Sequence, residues 1–250
     1  MADLIEVLWE PFLCSDGDGI VIDVTYKGGL WALESSDGDK SDSPNPWRVV
    51  DHLRHVIIDR ALSDTEPLVV LHAAVVTKGD SCVVLAGPSG AGKTTLALAL
   101  LEEGWSYLSD DAAPFDPASG RVIPFPKPLN LRDAATWEGL RERWSPPSWP
   151  AEPIGGLPIP ASAFSRREGS GSIPTHLVFS SYLPGSPGRL ESLSAGEALA
   201  RCGEMVRRLD PITLSHLSAL CQKADRAELW YEDTEQAVQL LVNWLFKSGP

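Results

Sequence analysis

Hydrophobic and polar positions in the middle of the chain form short apolar runs on either side of one helical stretch. The runs Val69–Val76 and Cys82–Ala86 predict two buried strands. The stretch from Lys93 to Glu103 predicts a helix that Gly104 ends, and Trp105–Ser109 predicts a third strand. Strands and a helix that alternate at this spacing indicate an α/β core.

The flanking regions predict smaller elements. Residues 1 to 43 hold short apolar runs separated by Gly and Asp turn signals, which is typical of β-hairpins, and Trp47 to Ala61 predicts a helix. In the C-terminal part we predict a strand at His176–Phe179 and a helix that begins at the capping box of Ser194 and Glu197 and runs to about Leu209. A helix after Pro211, a final strand at Leu229–Tyr231 and a last helix capped by Asp233 are expected to follow. The expected organisation is an N-terminal β-hairpin segment plus helix over 1–61, packed on the core. A single domain follows over 62–250, with an excursion rich in Pro, Gly and Ser at 145–175.

A glycine-rich segment joins the second predicted strand to the helix, and it has the pattern Gly, four residues, Gly-Lys-Thr. Glycines let such a backbone curl so that its N–H groups point inward at an anion, and the helix N-terminus adds its positive end. The lysine then reaches the β- and γ-phosphates, and the threonine hydroxyl can bind magnesium. The expected nucleotide-binding residues are Gly87, Pro88, Ser89, Gly90, Ala91, Gly92, Lys93, Thr94 and Thr95.

Two adjacent aspartates and one histidine are the further candidates. Asp110 and Asp111 end the third predicted strand, one strand–helix step after the glycine-rich segment. A carboxylate there could bind magnesium, orient a water or accept a proton from an attacking hydroxyl. His72 lies within the first apolar run, where a histidine is as often a satisfied core residue as a functional one.

Composition and net charge limit the classes of binding partner and the cellular location that we expect. The net charge is −13, from 34 acidic and 21 basic residues, so most of the surface repels a nucleic acid and we expect none as partner. The sequence shows no apolar run long enough to span a membrane, and its start lacks the layout of a secretion signal. The four scattered cysteines form no metal or disulfide pattern. Together these features predict a cytoplasmic protein, for which a homo-oligomer stays open.

The stretch from His72 to Asp111 resembles the catalytic domain of HPr kinase/phosphorylase and its smaller relatives, some of which phosphorylate a serine hydroxyl in modified-peptide and lasso-peptide gene clusters. The resemblance implies a P-loop kinase domain related to phosphoenolpyruvate carboxykinase. It also implies that His72 and Lys93 are catalytic, that Asp111 accepts the proton, and that Thr94 binds magnesium. Asp110 is taken as a second metal-binding residue.

The smaller relatives match better than HPr kinase proper. Ala73 replaces the glycine that follows the family histidine, and the segment 123–132 stands where the true enzyme has a glutamate-containing signature. Within that segment, Lys127 and Arg132 could clamp an anionic substrate or neutralise a transferring phosphoryl group.

These features predict a kinase that uses ATP and Mg²⁺ to phosphorylate a hydroxyl, expected to be a serine of a peptide or protein. Two other readings stay open. One is a kinase of small molecules such as free serine or a sugar. The other is a regulatory module that binds nucleotide without catalysis. The sequence leaves the acceptor open, and it leaves GTP and pyrophosphate open as donors.

Overall fold

The computed structural model describes residues 2–13, 19–63, 68–132, 156–164 and 171–247. The chain divides into two compact units. The first comprises residues 1–66 and 127–163, and the second comprises 67–126 and 164–250. The first unit therefore contains, besides the N-terminal segment, a stretch that lies much later in the chain.

The first unit combines helices with small antiparallel sheets. Trp47 on the long helix and Leu33 in the sheet are almost fully buried in its core, together with Leu8 and Trp9 of the first helix. Its elements are α1 (Ala2–Trp9), β1 (Ile22–Lys27), β2 (Leu30–Ser35), β3 (Lys40–Ser43) and α2 (Pro46–Ser63), followed by the strands Leu129–Leu131 and Leu157–Ile159, which pair with each other.

The second unit is a mixed α/β structure built on a six-stranded sheet. We number its strands β4 (Val69–Leu71), β5 (Ala73–Lys78), β6 (Ser81–Ala86), β7 (Ser106–Ser109), β8 (Ala113–Phe115), β9 (His176–Tyr182), β10 (Arg189–Ser192) and β11 (Asp225–Tyr231). The order across the main sheet is β10-β11-β9-β6-β5-β7, and β4 pairs with β8 outside it. Strands β6, β9 and β11 are parallel, whereas β5, β7 and β10 run antiparallel to their neighbours.

Helices cover the sheet of the second unit. These are α3 (Lys93–Glu102), α4 (Ala195–Gly203), α5 (Pro211–Lys223) and α6 (Thr234–Lys247). Helices α3 and α6 contact each other and the strands, while residues of α4 and α5 enter a core with alternate residues of β5, β6 and β9. Because helices cover the central strands, their residues are apolar without alternation, and Ala73–Val76 and Val83–Ala86 are fully buried.

The structure confirms the predicted α/β core and differs from the expectations in three elements. The N-terminal segment begins with helix α1, which the hairpin prediction missed. The single apolar strand expected at Val69–Val76 is two strands, β4 and β5, which belong to different sheets and separate at His72. The helix that begins after Ser194 ends at Gly203, and of the excursion predicted at 145–175 only 156–164 and 171–175 lie within the described residues.

Within the described ranges, no helix combines the length and the apolar character that crossing a membrane demands.

The capping box at the start of α4 gives a test of this local structure. Ser194 accepts a hydrogen bond from the Glu197 N–H, and the Glu197 carboxylate accepts one from the Ser194 N–H at 2.9 Å. We expect Ser194→Ala to lower the free energy of unfolding by about 1 kcal/mol, because it removes the acceptor for a helix N–H. Urea denaturation measures the loss. The same change at the exposed Ser192 in β10 is the control, and an equal loss there would contradict the cap's contribution.

Candidate active site

Strand directions bring three chain segments to one edge of the main sheet. Strand β6 ends at Ala86 on this edge, and antiparallel β5 begins there because Ala73 pairs with Ala86. Strand β7 runs antiparallel to β5, so its last residue, Ser109, pairs near the start of β5. The segments that adjoin these strand ends are the glycine-rich loop after β6, His72 before β5, and Asp110 after β7. Residues distant in sequence therefore meet at this edge.

At both ends of the glycine-rich loop, residues 87–92, neighbouring residues leave no room for a side chain. A Cβ atom on Gly92 would lie 1.8 Å from the Tyr231 hydroxyl, and one on Gly87 would lie 2.9 Å from the Ser180 carbonyl oxygen. Gly92 also has φ +83°, which favours glycine. Pro88, Ser89 and Gly90 are exposed, whereas Ala91 is buried. The loop thus opens to solvent at its tip and is tightly packed at both ends.

Lys93, the first residue of α3, is buried with only 6% of its surface exposed. Its Nζ atom donates to the carbonyl oxygens of Gly87 at 2.8 Å and Pro88 at 3.0 Å. It also lies 3.0 Å from His72 Nε2. The ammonium group is therefore turned back into the curve of the loop, at the position where the sequence predicts phosphate binding.

Thr94 and Asp110 form the second contact of the site. The Thr94 hydroxyl lies 3.0 Å and 3.2 Å from the two carboxylate oxygens of Asp110, to which it donates. Asp110 is 1% exposed, and Thr94 and Thr95 are half-buried. A hydroxyl and a carboxylate in contact are hard oxygen donors of the kind that Mg²⁺ prefers.

His72 and Asp111 form the third contact. His72 Nδ1 lies 2.9 Å from the Asp111 carbonyl oxygen and 3.1 Å from its Oδ1 atom. Both partners accept, so Nδ1 carries the hydrogen, and Nε2 is then the acceptor for the Lys93 ammonium group. His72 thus connects Lys93 to Asp111, and one tautomer satisfies every contact.

The backbone at Asp111 is unusual. Its φ is +65°, a left-handed conformation that aspartate tolerates better than most residues but that costs about 1–2 kcal/mol. Because β7 ends at Ser109 and the chain turns here, Asp110 faces Thr94 while Asp111 faces His72. The side chain of Asp111 remains 41% exposed. A partly accessible carboxylate on a strained backbone is a frequent property of functional sites.

Tyr107 lies near the two aspartates, and nothing in the sequence marked it as a candidate. It is 1% exposed, and burial raises the pKa of its hydroxyl well above the usual range, with the negative charges of Asp110 and Asp111 adding to the effect. The tyrosine therefore stays neutral and adds no negative charge near the carboxylates.

A pair of tyrosines was also missed, because nothing in the local sequence marks them. Tyr231 at the end of β11 donates from its hydroxyl to the Gly92 carbonyl oxygen at 3.2 Å, and burial raises the pKa of that hydroxyl. Tyr182 at the end of β9 is its cross-strand partner. Their shared feature, an aromatic residue at the end of each of two parallel strands, becomes visible only once the structure shows where those strands end.

The sequence also named two basic residues of the segment 123–132 as candidates. Lys127 and Arg132 belong to the first unit, whereas the other candidates belong to the second. Lys127 is buried and Arg132 is exposed.

By its fold, the chain is a mixed α/β protein with a central mixed sheet. Protein-family models give no match to it, and neither do the curated proteins. Among solved structures it is similar to the HPr(Ser) kinase/phosphatase from Coxiella burnetii. The identity is 12% and the TM-score 0.36, over 71% of this chain and 97% of that one.

Substitution of two loop glycines distinguishes the stability cost of backbone strain from that of steric crowding. Gly90 and Gly92 have nearly the same φ, +85° and +83°, but a Cβ on Gly90 would meet nothing within 4 Å. We expect Gly90→Ala to cost about 1–2 kcal/mol of stability, the usual penalty for a left-handed non-glycine residue. Gly92→Ala should cost more, because Tyr231 must also move. Urea denaturation of both variants measures the difference, and equal losses would mean that Tyr231 yields without cost.

Proposed function

We propose that this protein is a kinase that uses ATP and Mg²⁺ to transfer the γ-phosphoryl group to a hydroxyl, namely that of a serine in a peptide or protein. The observation that carries the proposal is the convergence of three contacts at the glycine-rich loop. These are Lys93 with the loop carbonyls, Thr94 with Asp110, and His72 with Asp111. A kinase needs a phosphate cradle, metal ligands and a group that receives the acceptor proton, and this site offers residues suited to each.

The residues present fit a nucleotide phosphate chain. Positions 87 and 92 hold glycines that no larger residue could replace without displacing its neighbours. The loop leads directly into the N-terminus of α3, and the N–H groups at the start of a helix attract anions. Lys93 supplies a cation already oriented toward the loop, where phosphate oxygens would take over the contacts of the Gly87 and Pro88 carbonyls.

The residues also fit a magnesium ion bound together with the nucleotide. Magnesium in such sites is held by one or two protein oxygens plus phosphates and waters, so a dense cluster of protein ligands is not required. Among the described residues no group of three or more His, Cys, Asp or Glu side chains could hold a metal. Thr94 and Asp110 are the residues proposed to hold the ion. When bound, it neutralises charge on the phosphate oxygens.

Asp111 is the proposed general base. Its partly exposed carboxylate can meet an acceptor hydroxyl, and His72 holds it through the Nδ1 hydrogen. A serine hydroxyl is a weak nucleophile at neutral pH, so a carboxylate that receives its proton assists attack by about 10²–10⁴-fold. The remaining acceleration comes from positioning and from positive charge, to which Lys93 contributes.

The choice of serine in a peptide rests on the resemblance of the stretch His72–Asp111 to the smaller HPr-kinase relatives. The test is to incubate the protein with labelled ATP and Mg²⁺, and with three acceptors in parallel: serine-containing peptides, free serine, and sugars. We expect label in the peptides. Label in free serine or a sugar would support a small-molecule kinase, and nucleotide binding without transfer to any acceptor would support a regulatory module.

Lys93→Ala is the matched loss-of-function variant for that experiment. It removes a cation from a site where water is largely excluded, so we expect ATP affinity to fall at least tenfold and transfer to become undetectable. Isothermal titration calorimetry measures the affinity, and circular dichroism checks that the variant folds. Unchanged affinity together with full activity would remove the loop from the mechanism.

The two neighbouring aspartates are expected to differ in effect. Asp111→Asn keeps the size of the side chain but cannot accept the proton, so transfer should fall about 10²–10⁴-fold while ATP binds almost normally. Asp110→Asn should instead raise the Mg²⁺ concentration needed for half-maximal activity, because it weakens the acceptor of the Thr94 contact.

Single-turnover transfer and ATP affinity, measured on both variants over a range of Mg²⁺ concentrations, separate these effects. The assignment is wrong if Asp110→Asn abolishes transfer at saturating Mg²⁺ and Asp111→Asn leaves it near normal.

A further inference from the structure

An exposed aromatic side chain stands beside the glycine-rich loop. Strand β9 pairs with β6 only up to Phe179, which lies opposite Ala86, and then continues to Tyr182 alongside β11. Tyr182 therefore projects past the point where β6 ends and the loop begins. Half of its surface is exposed, although its Cβ atom lies only 3.7 Å from where a Cβ on Gly92 would be.

Packing against a second tyrosine fixes the position of the Tyr182 ring. Tyr182 packs edge-on against Tyr231, with ring centroids 5.7 Å apart and an interplanar angle of 74°. Tyr231 is in turn held by its hydrogen bond to the Gly92 carbonyl oxygen. One side of Tyr182 thus contacts a buried partner anchored to the loop, and half of the residue is left open to solvent.

The chain that follows Tyr182 is also held in place. The N–H of Gly185 donates to the Glu232 carboxylate at 2.6 Å, and the N–H of Gly188 donates to the Gln236 side-chain oxygen at 3.1 Å. Both acceptors follow β11 or lie in α6. Consequently the aromatic residue does not sit on a free loop, and a ligand that stacks on it would lose little to the ordering of protein.

The residues on either side of β6 in the sheet determine the direction in which a bound phosphate chain would run. On the β5–β7 side lie His72, Asp110 and Asp111, which are the residues proposed to hold the metal and to receive the acceptor proton. The γ-phosphate must face that side. The α-phosphate and the nucleoside therefore leave the loop toward the other side, where β9 and β11 end. Tyr182 is the half-exposed aromatic residue at that place.

We propose that Tyr182 is the residue on which the adenine base of the nucleotide stacks. The inference rests on the proposed function, since it takes the direction of the phosphates from it. Stacking on an aromatic ring is available to any base through its π-face, and its loss on substitution by alanine weakens binding by about tenfold or more. The platform adds affinity for the base that the phosphate cradle alone cannot supply.

The test compares two ligands that share phosphates and differ in the base, Mg²⁺-ATP and inorganic tripolyphosphate, by isothermal titration calorimetry. Tyr182→Ala should weaken ATP binding about tenfold and leave tripolyphosphate affinity unchanged. Tyr182→Leu keeps an apolar contact with Tyr231 but no ring, and should behave like the alanine variant. Tyr182→Phe keeps the ring and should bind both ligands normally. Tyr26→Ala, at an exposed tyrosine paired with Trp31 in the first unit, is the control.

The outcomes separate this inference from the proposed function. If the unsubstituted protein binds both ligands and neither the alanine nor the leucine variant weakens ATP, the base site is wrong and the phosphate site stands. The base site is also wrong if both ligands weaken equally in these variants. If the unsubstituted protein binds neither ligand, the nucleotide-dependent function fails and the base site with it.

Discussion

The burial of the Lys93 ammonium group constrains the candidate site more than any other interaction. A cation that is 6% exposed must be surrounded by acceptors, because an unpaired buried charge costs several kcal/mol. The carbonyls of Gly87 and Pro88 supply two acceptors, and they can point inward only because the loop curls tightly. His72 supplies the third, and this contact fixes its tautomer. The loop conformation, the histidine and its link to Asp111 are thus coupled through one nitrogen atom.

The coupling depends on the direction of strand β5. An antiparallel strand beside the loop strand has its start, not its end, at the loop, so the residue before it can reach the lysine. In a fully parallel arrangement His72 would lie at the opposite edge of the sheet. The same reversal places the end of β7, and with it both aspartates, at this edge. One local choice of strand direction therefore brings together His72, which lies 21 positions before Lys93, and the two aspartates, which lie 17 and 18 positions after it.

Local sequence signals predicted those structural features that depend on interactions between residues close in sequence. The glycines and the capping residues act through their own backbone or the next helical turn, and Lys93 reaches carbonyls only five and six positions before it. The loop, helix α3 and the capping box at Ser194 could therefore be predicted directly. The break at His72 could not, because an apolar run shows that residues are buried but not which strand each one pairs with. Residues 69–71 pair with β8, whereas residues 73–78, which form β5, pair with β6 and β7 in the main sheet. Only the assembled fold decides between these partners.

The role of Tyr182 could not be predicted from local sequence either, because its place beside Gly92 depends on how far β9 extends past β6. These tertiary constraints also bear on how the site would accept a ligand. Lys93 is already turned toward the loop, and Asp111 already holds its left-handed backbone against His72. Phosphate oxygens would exchange with carbonyl oxygens around an ammonium group that stays coordinated throughout. Binding would then require little reordering of the protein, and the strain at Asp111 would already be compensated by folding rather than drawn from binding.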